Sequence, residues 1–287
     1  MRIIFYIVAI YPLKLVFFIM EGLLRFTPNL LLHSLPQFKV TKKNIKIAFP
    51  DLNEDELFKL SKESYTETLK SFYETLFAWS RKNEVIINNI KRINNRFLFS
   101  AQTNTNGLIV FALHNRSIDF MLRYLSSQRQ HTSLYKKIKL KPVNTFVKKI
   151  REEGGSTMVE TGIGGVKAVL FALQNNQMTC MASDQVPADG LGKYSTFFGH
   201  ECFSFSLAPS LAQKTNKPIL MSYLTYRDGL GHTMVFKKPD KEIYNDNGVD
   251  IMNLEMETEV RKCPKEYSWE YKKFRKLSQE PRDIYKD

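Results

Sequence analysis

The chain has 287 residues, with 42 lysines and arginines against 29 aspartates and glutamates, giving a formal net charge of +13. Hydrophobic residues make up 43% and aromatics 13%, enough apolar surface to offset the entropy of ordering, which excludes a disordered chain. Thirteen glycines and eleven prolines exclude collagen-like and low-complexity sequence, and the length fits one large domain or two small ones.

Residues 3–24, IIFYIVAIYPLKLVFFIMEGLL, are apolar except for Lys14 and Glu21. About 20 apolar residues suffice to cross a bilayer. Pro12 interrupts the run, however, and Lys14 near the hydrocarbon centre would cost roughly 2.5–3.5 kcal/mol. No A-x-A-like cleavage site follows it. An N-terminal hydrophobic anchor helix over residues 1–30, dipping into or crossing the membrane, is therefore expected ahead of a body over residues 31–287; a buried core helix is the alternative. If the run spans, Arg25 and the lysines between 39 and 46 place the body on the cytoplasmic side.

Asn53 to Trp79 reads as one long helix, with Asn53 as cap and Glu54, Asp55 and Glu56 at its positive end. Gly107–Leu113 is a continuous apolar run of strand length, the pattern of a strand buried on both faces. Helices are expected over Ile118–Ser126, over Pro142–Glu153 (Val143, Phe146, Val147 and Ile150 on one face) and over Gly165–Gln174. Met178–Ala182 reads as a second strand and Ser204–Thr215 as a helix. Pro218–Arg227 and His232–Lys237 form a hairpin, followed by a helix over Asp250–Lys262 and an aromatic-basic stretch over Tyr267–Phe274. Strands alternating with helices imply an α/β fold, a mixed central sheet flanked by helices.

The charge is unevenly spread. Residues 111–150 hold nine basic residues and one acid, Asp119, whereas residues 151–287 hold 18 basic and 19 acidic. Such a local surplus points to an anionic partner. Cys180, Cys202 and Cys263 offer neither a disulfide framework nor a CxxC pair, which fits a reducing compartment. The five histidines have no HxxxH or HExxH spacing, so no metal site is expected. Gly162–Lys167 lacks the third glycine of a dinucleotide fingerprint. The basic and aromatic residues carry no RNA-recognition or zinc-finger pattern, so no nucleic acid is expected, and the greasy N-terminus makes an anionic membrane surface the better partner.

The sharpest chemical feature is His114-Asn-Arg-Ser-Ile-Asp119 at the end of the buried strand, where α/β sheets place ligands. Residues five apart do not meet on one helix. With His114 in the strand-to-helix turn, Ser117 as N-cap and Asp119 in the first helical turn, the carboxylate can fix the imidazole tautomer and leave the other nitrogen as general base. A solvated loop histidine beside an ordinary helix-start acid is the alternative. No GxSxG elbow supports a serine nucleophile, so direct attack by a substrate hydroxyl is the better expectation. Asp184, in the run Ser183-Asp-Gln-Val-Pro187 at the end of the second strand, is placed to share a cleft with His114, or serves only as a loop cap or turn residue. Arg151 ends an amphipathic helix beside Lys148 and Lys149, and is either an exposed helix end or a guanidinium for an oxyanion or phosphate.

Taken together, these residues resemble the late (lauroyl/myristoyl) acyltransferases of lipid A biosynthesis, within the wider lysophospholipid acyltransferase group. The resemblance rests on the hydrophobic N-terminus, Asn44-Ile-Lys-Ile-Ala-Phe-Pro50, His114 with Asp119, and Gly165-Val-Lys-Ala-Val-Leu170. It continues through Asp184-Gln-Val-Pro187, Phe197-Phe-Gly199 and Cys263-Pro-Lys-Glu-Tyr-Ser-Trp269. Many members have Gly-Asn-Trp where this chain has Arg116-Ser117-Ile118, and the Phe-Pro-Glu-Gly-Thr block of the glycerolipid branch is absent. The resemblance implies a glycerolipid-acyltransferase-like fold and a bacterial inner-membrane enzyme facing the cytoplasm. It would move an acyl chain from acyl carrier protein to a hydroxyl of a lipid A precursor, with no further cofactor. It assigns His114 and Asp119 as the catalytic pair and Arg151, Asp184, Gln185, Phe198 and Gly199 to substrate binding. A transferase for another membrane glycerolipid or glycolipid, or a non-catalytic membrane-surface binding protein, are the other readings.

Overall fold

The computed structural model describes residues 1–100, 106–279 and 283–286. The chain opens with α1 (Arg2–Val8), α2 (Leu13–Phe26), α3 (Asn29–Ser34), α4 (Pro36–Ala48), α5 (Glu54–Ser80) and α6 (Asn83–Asn89). Next come β1 (Ile90–Asn94), α7 (Arg96–Ser100), β2 (Leu108–Ala112), α8 (Ile118–Gln128), β3 (His131–Tyr135), α9 (Lys141–Glu152), β4 (Thr157–Glu160), α10 (Ile163–Gln174) and β5 (Met178–Ala182). The hairpin β6 (Gly192–Phe197) and β7 (His200–Phe205), α11 (Leu207–Thr215), the hairpin β8 (Ile219–Arg227) and β9 (Gly231–Lys237), and α12 (Gly248–Lys262) complete the body.

Seven strands form one mixed sheet in the order β1-β9-β8-β2-β5-β3-β4, with only the β8–β9 pair antiparallel, while β6 and β7 pair separately. The expectation of a mixed sheet flanked by helices therefore holds. All five residues of β2 are buried. Ile109 and Phe111 face one core with residues of α10, α11 and α12, whereas Leu108, Val110 and Ala112 face the other, with Phe77 of α5 and Phe120 of α8. Alternating side chains on a sheet covered on both sides give an unbroken apolar run.

Asn53 caps α5 as expected. Its side chain accepts from the Asp55 and Glu56 N–H groups, and Glu56 reaches back to the Asn53 N–H in a full capping box. At Gly165 in α10, an added Cβ would stand 2.2 Å from the Glu160 carbonyl oxygen and 2.7 Å from Leu134 Cδ2. The helix can approach β4 this closely only without a side chain.

The N-terminal run is two helices rather than one. Pro12 lies at the break between α1 and α2, which bend by 53°, so no single described helix is long and apolar enough to cross a membrane. Proline has no N–H to continue a helical ladder. Ala9, Leu13 and Phe17 pack inward with Tyr73 and Phe77 of α5, while Ile3, Phe18, Leu23, Phe26 and Leu30 point outward and exposed. The helix expected over Ser204–Thr215 begins only at Leu207, because Ser204 and Phe205 still pair in β7.

Gly165→Ala is expected to collapse the yield of folded protein, because the obstructing atom is backbone. Gly164→Ala, with no atom within 4 Å of the added Cβ, should leave stability unchanged or raise it by up to about 1 kcal/mol. Denaturant unfolding of the two variants side by side checks both outcomes.

Candidate active site

The site is built at the carboxyl ends of two neighbouring parallel strands. In the β2–β5 ladder Ala112 lies opposite Ala182, so His114 and Asp184 each stand two residues beyond a matched pair. The Ser183 N–H donates to the Ala112 carbonyl at 2.9 Å and continues the register to the site's edge. Asp184 then holds His114 twice: Oδ2 accepts the His114 backbone N–H at 3.0 Å and Oδ1 lies 2.6 Å from Nδ1. A carboxylate is an acceptor only, so Nδ1 carries the proton and Nε2 is left as a lone-pair nitrogen. The Gln185 amide nitrogen sits 3.3 Å from Nε2.

Asp184 is buried, whereas the imidazole keeps 23% of its side-chain surface open to the cleft. Burial would lower the His114 pKa, but the charge and hydrogen bond of Asp184 override it, and the ring titrates above the ordinary histidine value. Burial would raise the Asp184 pKa, and the same contact holds it below the usual carboxylate range. Tyr267, buried behind the pair, interacts with the Asp184 carboxylate, which together with burial pushes the phenol well up.

Asp119, expected to face the imidazole, pairs with Arg151 instead. Arg151 Nε and Nη2 donate to the two Asp119 oxygens at 2.7 and 2.9 Å. The fork-to-fork geometry occupies both carboxylate oxygens. Ser117 does stand at the N-cap of α8, but its side chain makes no cap hydrogen bond and its Oγ lies 2.9 Å from Thr75 Oγ1. His114, Asp119, Arg151 and Gln185 nevertheless share one cleft of about 1070 Å³, with Trp79, Met121 and Met181 among its apolar lining. That volume is at the upper end for small-molecule pockets and suits a bulky amphiphile.

Phe198 and Gly199 do not line the cleft. They are the two central residues of the β6–β7 turn, with φ of +51° and +75°, both positive as a type I′ hairpin turn requires. The Phe198 ring packs on Phe49, Phe197 and Trp269, so the Phe-Phe-Gly motif shapes this turn and packs against the core.

Two lining carboxylates, Glu160 and Glu270, escaped the sequence reading. Glu270 lies in the cleft, accepts a hydrogen bond from Thr68 at 2.9 Å, and has its pKa raised by burial. The only signal for it was its place in the closing aromatic stretch, which folds back under the site. The Ser268 N–H donates to the His114 carbonyl at 3.0 Å, and Asn44 Nδ2 of α4 donates to the Trp269 and Tyr271 carbonyls at 2.6 and 2.8 Å.

Asp184→Asn is expected to move the His114 titration down towards or below the ordinary histidine value, and Asp119→Asn to move it far less. NMR titration of the imidazole resonances in both variants checks this; the larger shift in Asp119→Asn would reverse the assignment of partners.

A family model described as bacterial lipid A biosynthesis acyltransferase matches residues 2–276. The chain is 19% identical over 249 residues to the lipid A biosynthesis palmitoleoyltransferase of Escherichia coli (strain K12), covering 82% of this chain and 78% of that one. It is similar at the same identity and coverage to a lipid A biosynthesis acyltransferase of Shigella flexneri. With a match that runs over nearly the whole chain, the protein belongs to the bacterial lipid A biosynthesis acyltransferase family.

Proposed function

We propose that this lipid A acyltransferase takes its acyl group from the thioester of acyl carrier protein and delivers it to a hydroxyl of a lipid A precursor, with His114 as general base. The observation that carries the reading is the imidazole itself: Nδ1 is held by a buried carboxylate, while Nε2 stands at the wall of a large, partly apolar cleft. The acceptor hydroxyl displaces the Gln185 amide from Nε2 and gives up its proton there. Its oxygen attacks the thioester carbonyl carbon, and Asp184 stabilises the imidazolium that forms. The tetrahedral oxyanion collapses, expels the thiolate and reforms the carbonyl, and the imidazolium returns its proton to the departing sulfur. Arg151, fixed by Asp119, supplies a positive charge in the same cleft for the oxyanion or for a phosphate of the acceptor. In this assignment Asp184 takes the part first expected of Asp119, and Asp119 orients Arg151.

Exposed Lys136, Lys137 and Lys139 follow β3, and the first two also line the cleft. Their charge suits docking of the acidic carrier protein and of the acceptor's phosphates. The outward apolar side chains of α1, α2 and α3 suit insertion into a membrane, which we assign to the cytoplasmic face of the bacterial inner membrane.

Incubation of the purified protein with lipid A precursor and acyl carrier protein loaded with mixed chain lengths, read by mass spectrometry of the lipid, tests the reaction directly. His114→Ala should lower turnover by about a hundredfold or more. Near-normal transfer by that variant would refute the base. Replacing Lys136, Lys137 and Lys139 together by Gln should raise the apparent KM for the carrier-linked donor and flatten its salt dependence, with kcat little changed.

A further inference from the structure

We propose that Arg116 and Glu74 form a clamp that positions the catalytic turn, so that Arg116 acts on the reaction through His114 although it touches no substrate. The proposal rests on His114 being the base.

Arg116 is the second residue after His114 and has φ of +66°, in the left-handed region that side chains larger than glycine rarely occupy. Such a conformation persists only where its surroundings over-determine it. Here the side chain turns inward with 0% exposure and lies 5.2 Å from the rings of both Phe17 and Tyr226. Its Nε and Nη2 donate to Glu74 Oε1, the former at 3.1 Å, and its Nη1 donates to Glu67. The other Glu74 oxygen accepts the Ser117 backbone N–H at 3.2 Å. One carboxylate thus grips the turn at two successive residues, by the side chain of the first and the main chain of the second.

Glu74 is itself held from several sides. It is fully buried on α5, and Oε1 also lies 2.6 Å from His232 Nε2 on β9. Burial would raise its pKa, but Arg116 and His232 hold it well below the usual carboxylate range, so the clamp stays charged.

Stability alone does not account for this arrangement. A glycine would adopt the turn without strain, and exchanging a buried ion pair for apolar or neutral groups of similar volume is often neutral or stabilising. What a fixed guanidinium on a fixed carboxylate supplies is a single geometry for the chain between β2 and α8. Arg116 stands between the imidazole at 114 and Asp119, the orienting partner of Arg151, so both catalytic-side groups depend on this turn.

The test uses the full-length protein, the acyl-transfer assay and three variants beside wild type: His114→Ala, Arg116→Lys, and the paired Arg116→Met/Glu74→Gln. The paired variant removes the charges of Arg116 and Glu74 together, leaves Glu67 with its second partner Lys70 at 2.9 Å, and is expected to keep a melting temperature close to wild type. It should nonetheless lose at least tenfold in kcat, with KM for donor and acceptor changed less than threefold and the His114 imidazole resonances shifted or broadened. Arg116→Lys keeps the charge without the two-point fork, and should lose kcat in the same way.

A paired variant that folds and turns over at the wild-type kcat, or one whose loss lies wholly in KM, overturns the clamp. If the paired variant does not fold, Arg116→Lys decides by the same criteria; should it too fail to fold, the role is structural and the proposal fails. Near-normal turnover by His114→Ala condemns the base itself, whereas an inactive His114→Ala beside fully active Arg116 variants condemns only the clamp.

Discussion

The meeting of His114 and Asp184 depends on the parallel pairing of β2 with β5. The two strands come from segments 70 residues apart, and their register sets Ala112 beside Ala182. From there each chain has two residues in which to leave the sheet, and each ends with a polar group facing the other. A slip of one residue in either strand would turn His114 or Asp184 to the opposite face and part the imidazole from its carboxylate. The five apolar residues of β2 and the buried β5 are what hold that register, because both faces of the sheet are covered and neither can afford a misplaced side chain.

Two aspartates, both set beside the cleft, are thereby given different work by their neighbours. Asp184 is wedged between the imidazole and Tyr267, and its two oxygens meet the His114 ring and the His114 backbone N–H. Asp119 meets a guanidinium whose planar fork matches both of its oxygens, and the better geometric match takes it. The closing segment is the third support. Its Ser268 N–H ties down the His114 carbonyl while Asn44, from the other end of the chain, ties down Trp269 and Tyr271. Two short motifs more than 200 residues apart in sequence are joined in one brace for the site.

Much of this was legible in the sequence wherever the signal is local. The capping residue of α5, the apolar run of β2, the amphipathic period of α9 and the β8–β9 hairpin all act within a few residues, and stand as read but for Gly231, which pairs with Arg227 as the first residue of β9. His114 and Asp184 could be placed near one another because each follows the end of a strand of an α/β sheet. Which acid would reach the imidazole was not legible. Asp119 is close in sequence, but strand order decides the matter, and nothing local encodes that β5 lies next to β2. Strands β1, β3 and β4 passed unnoticed because they are short and mix polar with apolar residues (Ile90–Asn94, His131–Tyr135, Thr157–Glu160). Phe198-Gly199 was legible as a motif but not as a hairpin turn, since a required backbone conformation and a ligand contact leave the same mark on one sequence.

The basic surplus of residues 111–150 also divides once side chains have directions. Of its nine cations, Arg116, Arg123 and Arg129 are buried. Arg116 serves two carboxylates, Arg123 bonds Asn83 and the carbonyls of Ala78 and Arg81, and Arg129 bonds the carbonyls of Asn106 and Asn176. The six lysines stay at or near the surface. The division follows from the chemistry of the two side chains. A guanidinium is weakly hydrated and offers five donors in a rigid fork, so it can enter a core and be satisfied there, whereas an ammonium is strongly hydrated and in this segment stays at the surface. Charge counted along the chain therefore overstates the field that a partner meets. The part that reaches solvent is the lysine group between β3 and the end of α9, and two of its members, Lys136 and Lys137, stand at the wall of the cleft itself. The exposed lysines and the imidazole thus belong to one continuous surface, while the arginines of the same segment hold the fold beneath it.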